Sequence, residues 1–228
     1  MSVPLAPAMA FWLASPLIDP AMFLLTAGTL GGGFAVAKTV AALAIGVMGG
    51  ASTLALQRAG LLRVALRDGV GDGGCAGTAV PVPHAVAWRF WHQPGRRDVF
   101  IAGARDNLLF LGKWLVLAFL LESLMLVYVP AELVADVAGG DGALPVIAAT
   151  LVGVPAYLNG YAALPLVAGL IEQGMAPGAA MAFLLAGGVS SFPAAVAVYA
   201  LARPPVFAAY IGFALVGAAS AGLAYGAL

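Results

Sequence analysis

The chain has 228 residues, 63% of them hydrophobic and 9% charged, with zero net charge and a mean hydropathy of +1.02. A soluble domain carries about 25% charged residues, and at this length no aqueous interior could hide so much apolar side chain, so lipid is the expected solvent. With no basic excess there is no case for a nucleic-acid partner, and the lone Cys75 excludes an internal disulfide and a cysteine-pair metal site.

In chain order, Met1–Pro7 has no positive n-region and no cleavage site follows it, so the first apolar segment is expected to remain in the mature chain. Leu5–Leu30 is the first span, broken at Ser15-Pro16-Leu17-Ile18-Asp19-Pro20; each proline removes a backbone donor and frees a carbonyl one turn earlier. Gly31-Gly32-Gly33 reads as a tight turn. Phe34–Leu56 is the second span, with Lys38 near its start and Gly46, Gly49, Gly50 and Ala51 available for close helix packing.

Gln57–Asn107 is the one long polar stretch and carries seven arginines. Its Gly69–Gly77 run lacks the Gly-Lys-Ser/Thr ending of a phosphate loop and reads as linker. His84 and His92 stand there without the spacing of a metal centre, so no cofactor is expected. Leu108–Val129 is the third span, with Lys113 and Trp114 at its start and Glu122 within it. Pro130–Gly142 is a short loop with acids but no Lys or Arg. Ala143–Glu172 is the fourth span, interrupted at Gly153–Tyr161. Ala179–Ala202 is the fifth, interrupted by Gly187, Gly188, Ser190, Ser191 and Pro193; Val206–Ala227 is the sixth.

The fold class is therefore all-α: a polytopic membrane helix bundle of about six spans. Three regions are expected: a two-span remnant over 1–56, a cytoplasmic arginine-rich loop over 57–107, and a four-span unit over 108–228. Lys and Arg favour the cytoplasmic side, which puts the arginine stretch and both termini inside and Pro130–Gly142 outside.

The first and fifth spans resemble one another. Ala8–Pro16 (A-M-A-F-W-L-A-S-P) aligns with Ala180–Gly188 (A-M-A-F-L-L-A-G-G), and with one extra residue Pro20 falls on Pro193. Ala44–Ala51 aligns loosely with Ala214–Ala221. Both broken spans run in the same direction, so the repeats are parallel, with the first half two spans short. Hydrophobic segments broken at matching places in two halves point to a transporter's binding site.

Three stretches resemble the ArsP-like family of predicted permeases, whose members export organoarsenicals or take part in metal efflux: Ala10–Pro20, Leu151–Tyr161 (L-V-G-V-P-A-Y-L-N-G-Y) and Gly174–Gly187. Leu111–Pro130 also looks like the span that opens the family's second half. The resemblance implies an exporter of a small solute. It also implies a cysteine cluster in a first-half segment that this chain lacks, and Cys75 matches nothing in that pattern. Where this sequence has Asp19 the family pattern most often has an amide.

The candidate pathway residues are Ser15, Pro16, Asp19, Pro20, Glu122, Pro155, Tyr157, Asn159, Gly160, Ser190, Ser191 and Pro193. A carboxylate within a span is costly and marks a pathway unless it is spent satisfying a broken helix end, and both readings stand for Asp19. Glu122 is either a proton relay or a hydrogen-bond acceptor for a neighbouring span. Asn159, Tyr157, Ser190 and Ser191 either coordinate a solute or join helices. Met175 and Met181 read as core. No nucleophile–base pair is present, so an enzyme is not expected. The partners expected are the bilayer and a small-molecule or ion substrate. Two organisations stay open: a permease completed by a second copy or by a polypeptide supplying the missing spans, and a non-transporting subunit or truncated half of a longer permease.

Overall fold

The computed structural model describes residues 4–62, 94–128, 142–156 and 160–228. These form helices α1 (Leu5–Ala14), α2 (Pro20–Thr29), α3 (Gly32–Arg58), α4 (Pro94–Tyr128), α5 (Ala143–Ala156), α6 (Gly160–Glu172), α7 (Pro177–Ser190), α8 (Phe192–Leu201) and α9 (Pro204–Gly226), with no strand among the described residues. By length and composition α3 and α9 can each cross a membrane alone, and α7 with α8 forms a third such unit bent by 43°. At about 1.5 Å per residue, the 27 residues of α3 extend well beyond a hydrocarbon layer of ~30 Å. Large side chains such as Phe11, Leu24, Val47, Leu108 and Val216 point outward, as expected where the surroundings are lipid rather than water. The chain is an all-α membrane bundle.

The centre of the bundle is α7. It is apolar on every side, and a helix of that kind must be enclosed; every residue from Gly178 to Ser190 is buried. α5, α6 and α9 pack around it, α1 and α3 touch it, and α3 lies against both α1 and α9. α2 joins α3 and α6, while α4 packs on α8.

Two sequence expectations change. The stretch read as loop over Gln57–Asn107 gives up both ends to helix: α3 continues to Arg58, and α4 begins at Pro94. Proline suits the first helical position, and extending an existing helix costs far less than nucleating one, so α4 grows backward from the apolar span. Its early charges face out as neighbouring pairs, Arg97–Asp98 at 3.5 Å and Arg105–Asp106 at 3.9 Å. Residues 63–93, with Cys75, His84 and His92, lie outside the described residues. The second change is that Gly187 and Gly188 do not interrupt the fifth span. α7 runs through both and leaves helical geometry only at Ser191, because enclosure by neighbouring helices overrides weak local propensity.

The helix starts recur in one register. Leu5 answers to Pro177, Pro20 to Phe192 and Gly32 to Pro204, so a single fixed offset relates all three pairs. The close packing recurs in the same register. A Cβ placed on Gly50 would stand 3.1 Å from Ala10 Cβ and 3.2 Å from the Ala6 carbonyl oxygen. One placed on Gly222 would stand 2.6 Å from Ala182 Cβ and 2.6 Å from the Gly178 carbonyl oxygen. Both spanning helices thus approach their partner helix closely at a glycine. The geometric partner of Gly50 is Gly222, whereas aligning Ala44–Ala51 with Ala214–Ala221 suggests Ser220. Runs of Ala and Gly match in many registers; only the contact fixes one.

Candidate functional site

The first break follows directly from its residues. α1 ends at Ala14 with the Ser15 N–H bonded to the Phe11 carbonyl at 2.9 Å, and Leu17 N–H closes a turn on Ala14 at 3.1 Å. Pro16 and Pro20 then deny the chain two donors. The residue before a proline is driven out of helical geometry, and Asp19 is extended at φ −136°, ψ 129°. Pro20 takes the first position of α2, where its missing N–H is no loss. The Asp19 carboxylate accepts the Ala21 N–H at 2.8 Å and caps α2. The capping role anticipated for Asp19 is therefore present, and one carboxylate oxygen is committed to it.

A pocket of about 180 Å³ opens at this break, lined among others by Leu17, Asp19, Pro20, Thr26, Lys38 and Thr39. Lys38 comes from the second turn of α3 and is only 4% exposed. A lysine held inside a membrane protein costs about 3 kcal/mol on insertion scales unless a partner compensates, and the charge that acts on it is Asp19. The ammonium makes no hydrogen bond to a described residue. Thr26 and Thr39 turn their protons back onto their own helices, donating to the Met22 carbonyl at 2.7 Å and the Ala35 carbonyl at 2.9 Å. That leaves hydroxyl lone pairs as their remaining capacity.

The second break is built differently. One residue, Ser191, separates α7 from α8, with φ −47° and ψ 141°, and Pro193 follows in the first turn of α8. Ser190 is buried and donates to the Ala186 carbonyl at 2.6 Å. The Val189 carbonyl accepts the phenol of Tyr210 on α9. Tyr210 is completely buried and stands, in the register that relates the helix starts, where the first half has Lys38.

Of the residues singled out in the sequence, Asp19 and Pro20 line the pocket, and Ser15 and Pro16 form the turn leading into it. Ser190, Ser191 and Pro193 sit together at the second break. Pro155 lies in the last turn of α5, and Gly160 begins α6. Glu122 lies on α4, but its side chain, with the whole of Tyr157 and Asn159, lies outside the described residues. α6 packs on α2 and α7, the two helices that meet the breaks. Met175 and Met181 are buried core residues, as expected.

Sequence reasoning passed over Lys38, Thr26, Thr39 and Tyr210. A signal for Lys38 was available: it is a cation inside an apolar span, and such residues mark pathways by default. A larger hollow of about 500 Å³ lies between α3 and α9, with Val40, Ile45, Met48, Met181 and Gly217 in its lining. Its lining has no charged side chain, and its Ser220 hydroxyl is spent on the Val216 carbonyl at 2.7 Å. No group of three or more His, Cys, Asp or Glu that could hold a metal occurs among the described residues.

A family model described as a predicted permease matches residues 1–227. No curated protein and no solved structure matches the chain.

Proposed function

We propose that this chain, which belongs to the ArsP-like family of predicted permeases, works in the cell inner membrane and exports a small solute past the break between α1 and α2. What supports this is the pocket at that break: a concavity inside an apolar bundle that holds a buried lysine, a carboxylate and two hydroxyls. Non-helical backbone at membrane depth is tolerated where it lines a cavity, and costly intramembrane charge is retained where it serves a pathway. Asp19 and Pro20 shape the binding end, with Ser15 and Pro16 supplying the turn. Ser190, Ser191 and Pro193 form a packed hinge at the second break, about which α7 and α8 change their angle. Pro155 and Gly160, at the end of α5 and the start of α6, and Tyr157 and Asn159 between them in the sequence keep the pathway role that the interrupted fourth span suggests, and Glu122 lies on the helix that packs against α8. The family resemblance suggests a metal(loid) or organoarsenical solute. Both termini and the arginine-rich stretch are placed in the cytoplasm by the distribution of Lys and Arg.

The test compares a deletion strain with its complemented partner against arsenicals, antimonials, copper and zinc. Complementation should raise resistance to at least one of these, and Lys38→Met should cancel the gain. Equal sensitivity throughout, with everted vesicles that move none of them, would remove the export reading.

A second organisation has one observation in its favour. α7 is enclosed by α5, whereas α1, its counterpart in the first half, presents Phe11 outward at 67% exposure. A non-transporting half of a longer permease, or a subunit completed by a second copy, would cover that face. Crosslinking from a cysteine placed at Phe11 distinguishes these: a product at twice the chain mass marks a homodimer, and a heavier mixed product marks a partner chain.

A further inference from the structure

Lys38 and Tyr210 occupy equivalent posts. Each lies on the second turn of a long apolar helix, Lys38 as far from Gly32 as Tyr210 is from Pro204. Each is buried, at 4% and 0% exposure, beside the break of its own half. In the second half the post has a structural task. The carbonyl of Val189 is freed where α7 ends, and the Tyr210 phenol satisfies it. A neutral donor is therefore enough to close such a break. At the first break the same post carries a full positive charge, which is more than that task requires and is costly to enclose.

The lining differs as well. Thr26 and Thr39 line the first pocket, whereas the matching residues of the second half are Val198 and Ile211; the threonine protons are spent on their own helices, so the donors for an anion come from Lys38. Around Lys38 the pocket is open, its volume of about 180 Å³ matching roughly six waters at about 30 Å³ each. The ammonium has three N–H donors and no hydrogen bond to a described residue. Asp19 is the charge acting on it, yet that carboxylate is also held at the N-terminus of α2 by the Ala21 N–H. It is thus shared between two positive ends and compensates neither fully.

We propose that Lys38 is the binding cation for a small monoanionic solute, a carboxylate or singly charged oxyanion, which enters the pocket at the first break and pairs with Lys38 against the competing charge of Asp19. Asp19 offsets part of the lysine's charge while the pocket is empty, with its capping bond to Ala21 already in place. Among the described residues, the neighbouring helices bring no further charge to this pair: α1 and α9 carry none, the Arg58 of α3 stands at the opposite end of that helix, and the Glu172 of α6 lies at its exposed C-terminal turn. The assignment builds on the export reading by naming the solute class, and it narrows metal(loid) solutes to their acidic oxo forms.

The experiment is a binding measurement, separate from transport. The full chain is placed in phosphatidylcholine nanodiscs and titrated calorimetrically with acetate, inorganic phosphate or methylarsonate, with tetramethylammonium as the cationic control. At least one anion should bind and the cation should not. Lys38→Met should lose that binding by 100-fold or more, and Lys38→Arg should keep it within about tenfold. Asp19→Asn, which preserves the cap, should tighten it by about tenfold because the competing carboxylate is gone; a purely structural Asp19 predicts no tightening. Thermal melting confirms that each variant is folded, and if Lys38→Met is not, Lys38→Arg and Asp19→Asn decide. Wild-type chain that binds none of the anions overturns the proposal, as does unchanged affinity in Lys38→Met. Protection by added phosphatidylglycerol with no binding of the soluble anions assigns Lys38 to a lipid headgroup and also overturns it. Anion binding that depends on Lys38 in a chain that moves nothing in vesicles would sink export and leave this site standing.

Discussion

The two helix breaks start from similar sequence and reach opposite structures. At the first, the chain from Ser15 to Asp19 lies between helices and a pocket opens; at the second, Ser191 alone does so and the Tyr210 phenol closes on the Val189 carbonyl. Matching positions change character between them: Asp19 answers to Ser191, Thr26 to Val198, Lys38 to Tyr210, and Thr39 to Ile211. The comparison separates what a broken helix needs from what it does not. A phenol and a serine that bonds its own helix are enough for the backbone. A buried lysine is more than the backbone requires.

The largest effect should come from filling the tighter of the two glycine contacts. A side chain on Gly222 meets the Gly178 carbonyl oxygen and Ala182 Cβ, both at 2.6 Å, and backbone cannot give way cheaply. Gly222→Leu is expected to abolish folded protein on size-exclusion chromatography, overpacking already costing about 1–3 kcal/mol for smaller insertions. Gly50→Ala, where the distances are 3.1 and 3.2 Å, should melt within a few degrees of wild type. Equal damage at both would erase the difference in packing between the halves.

Next comes Tyr210→Phe. It removes the donor that satisfies the Val189 carbonyl in a fully buried setting and should cost about 1–3 kcal/mol in melting experiments. The double variant Lys38→Met with Asp19→Asn goes the other way on the same measurement. Replacing both members of an enclosed pair strands no charge and leaves melting unchanged or raises it, while transport is lost. If both variants destabilise alike, the two posts share one structural role and the contrast between the breaks collapses.

A smaller effect attends the cap. Asp19→Ala should lose about 1 kcal/mol, and Asp19→Asn close to nothing, since Asn caps as well as Asp. Smallest of all, Thr26→Val should shift stability by less than about 1 kcal/mol, the usual net worth of one hydrogen bond. The hydroxyl serves only its own helix, and the matching position in the other half is already Val198. A larger loss would mean that Thr26 bonds something beyond α2.

Much of the fold was legible in the residue order. Apolar runs long enough to cross a bilayer, Pro16 and Pro20 at one break, and Ser191 with Pro193 at another place the helices to within a few positions. Asp19 was legible as both charge and cap. Gly187 and Gly188 misled, because glycine weakens a helix only where nothing surrounds it, and α7 is surrounded. The start of α4 was hidden because charged residues on the outer face of a helix look like loop in a linear reading.

What the sequence determined alone was the solvent and the class. Its scarcity of charge calls for lipid, and its long continuous apolar runs call for helices rather than the alternating strands of a barrel; proline decides where the helices break. The single offset at which helix starts and glycine contacts recur, and the meeting of Lys38 with Asp19, came only from three dimensions. Small residues match in too many alignments to fix a register, and two charges on different elements, one capping α2 and one inside α3, become neighbours only when α2 folds back against α3.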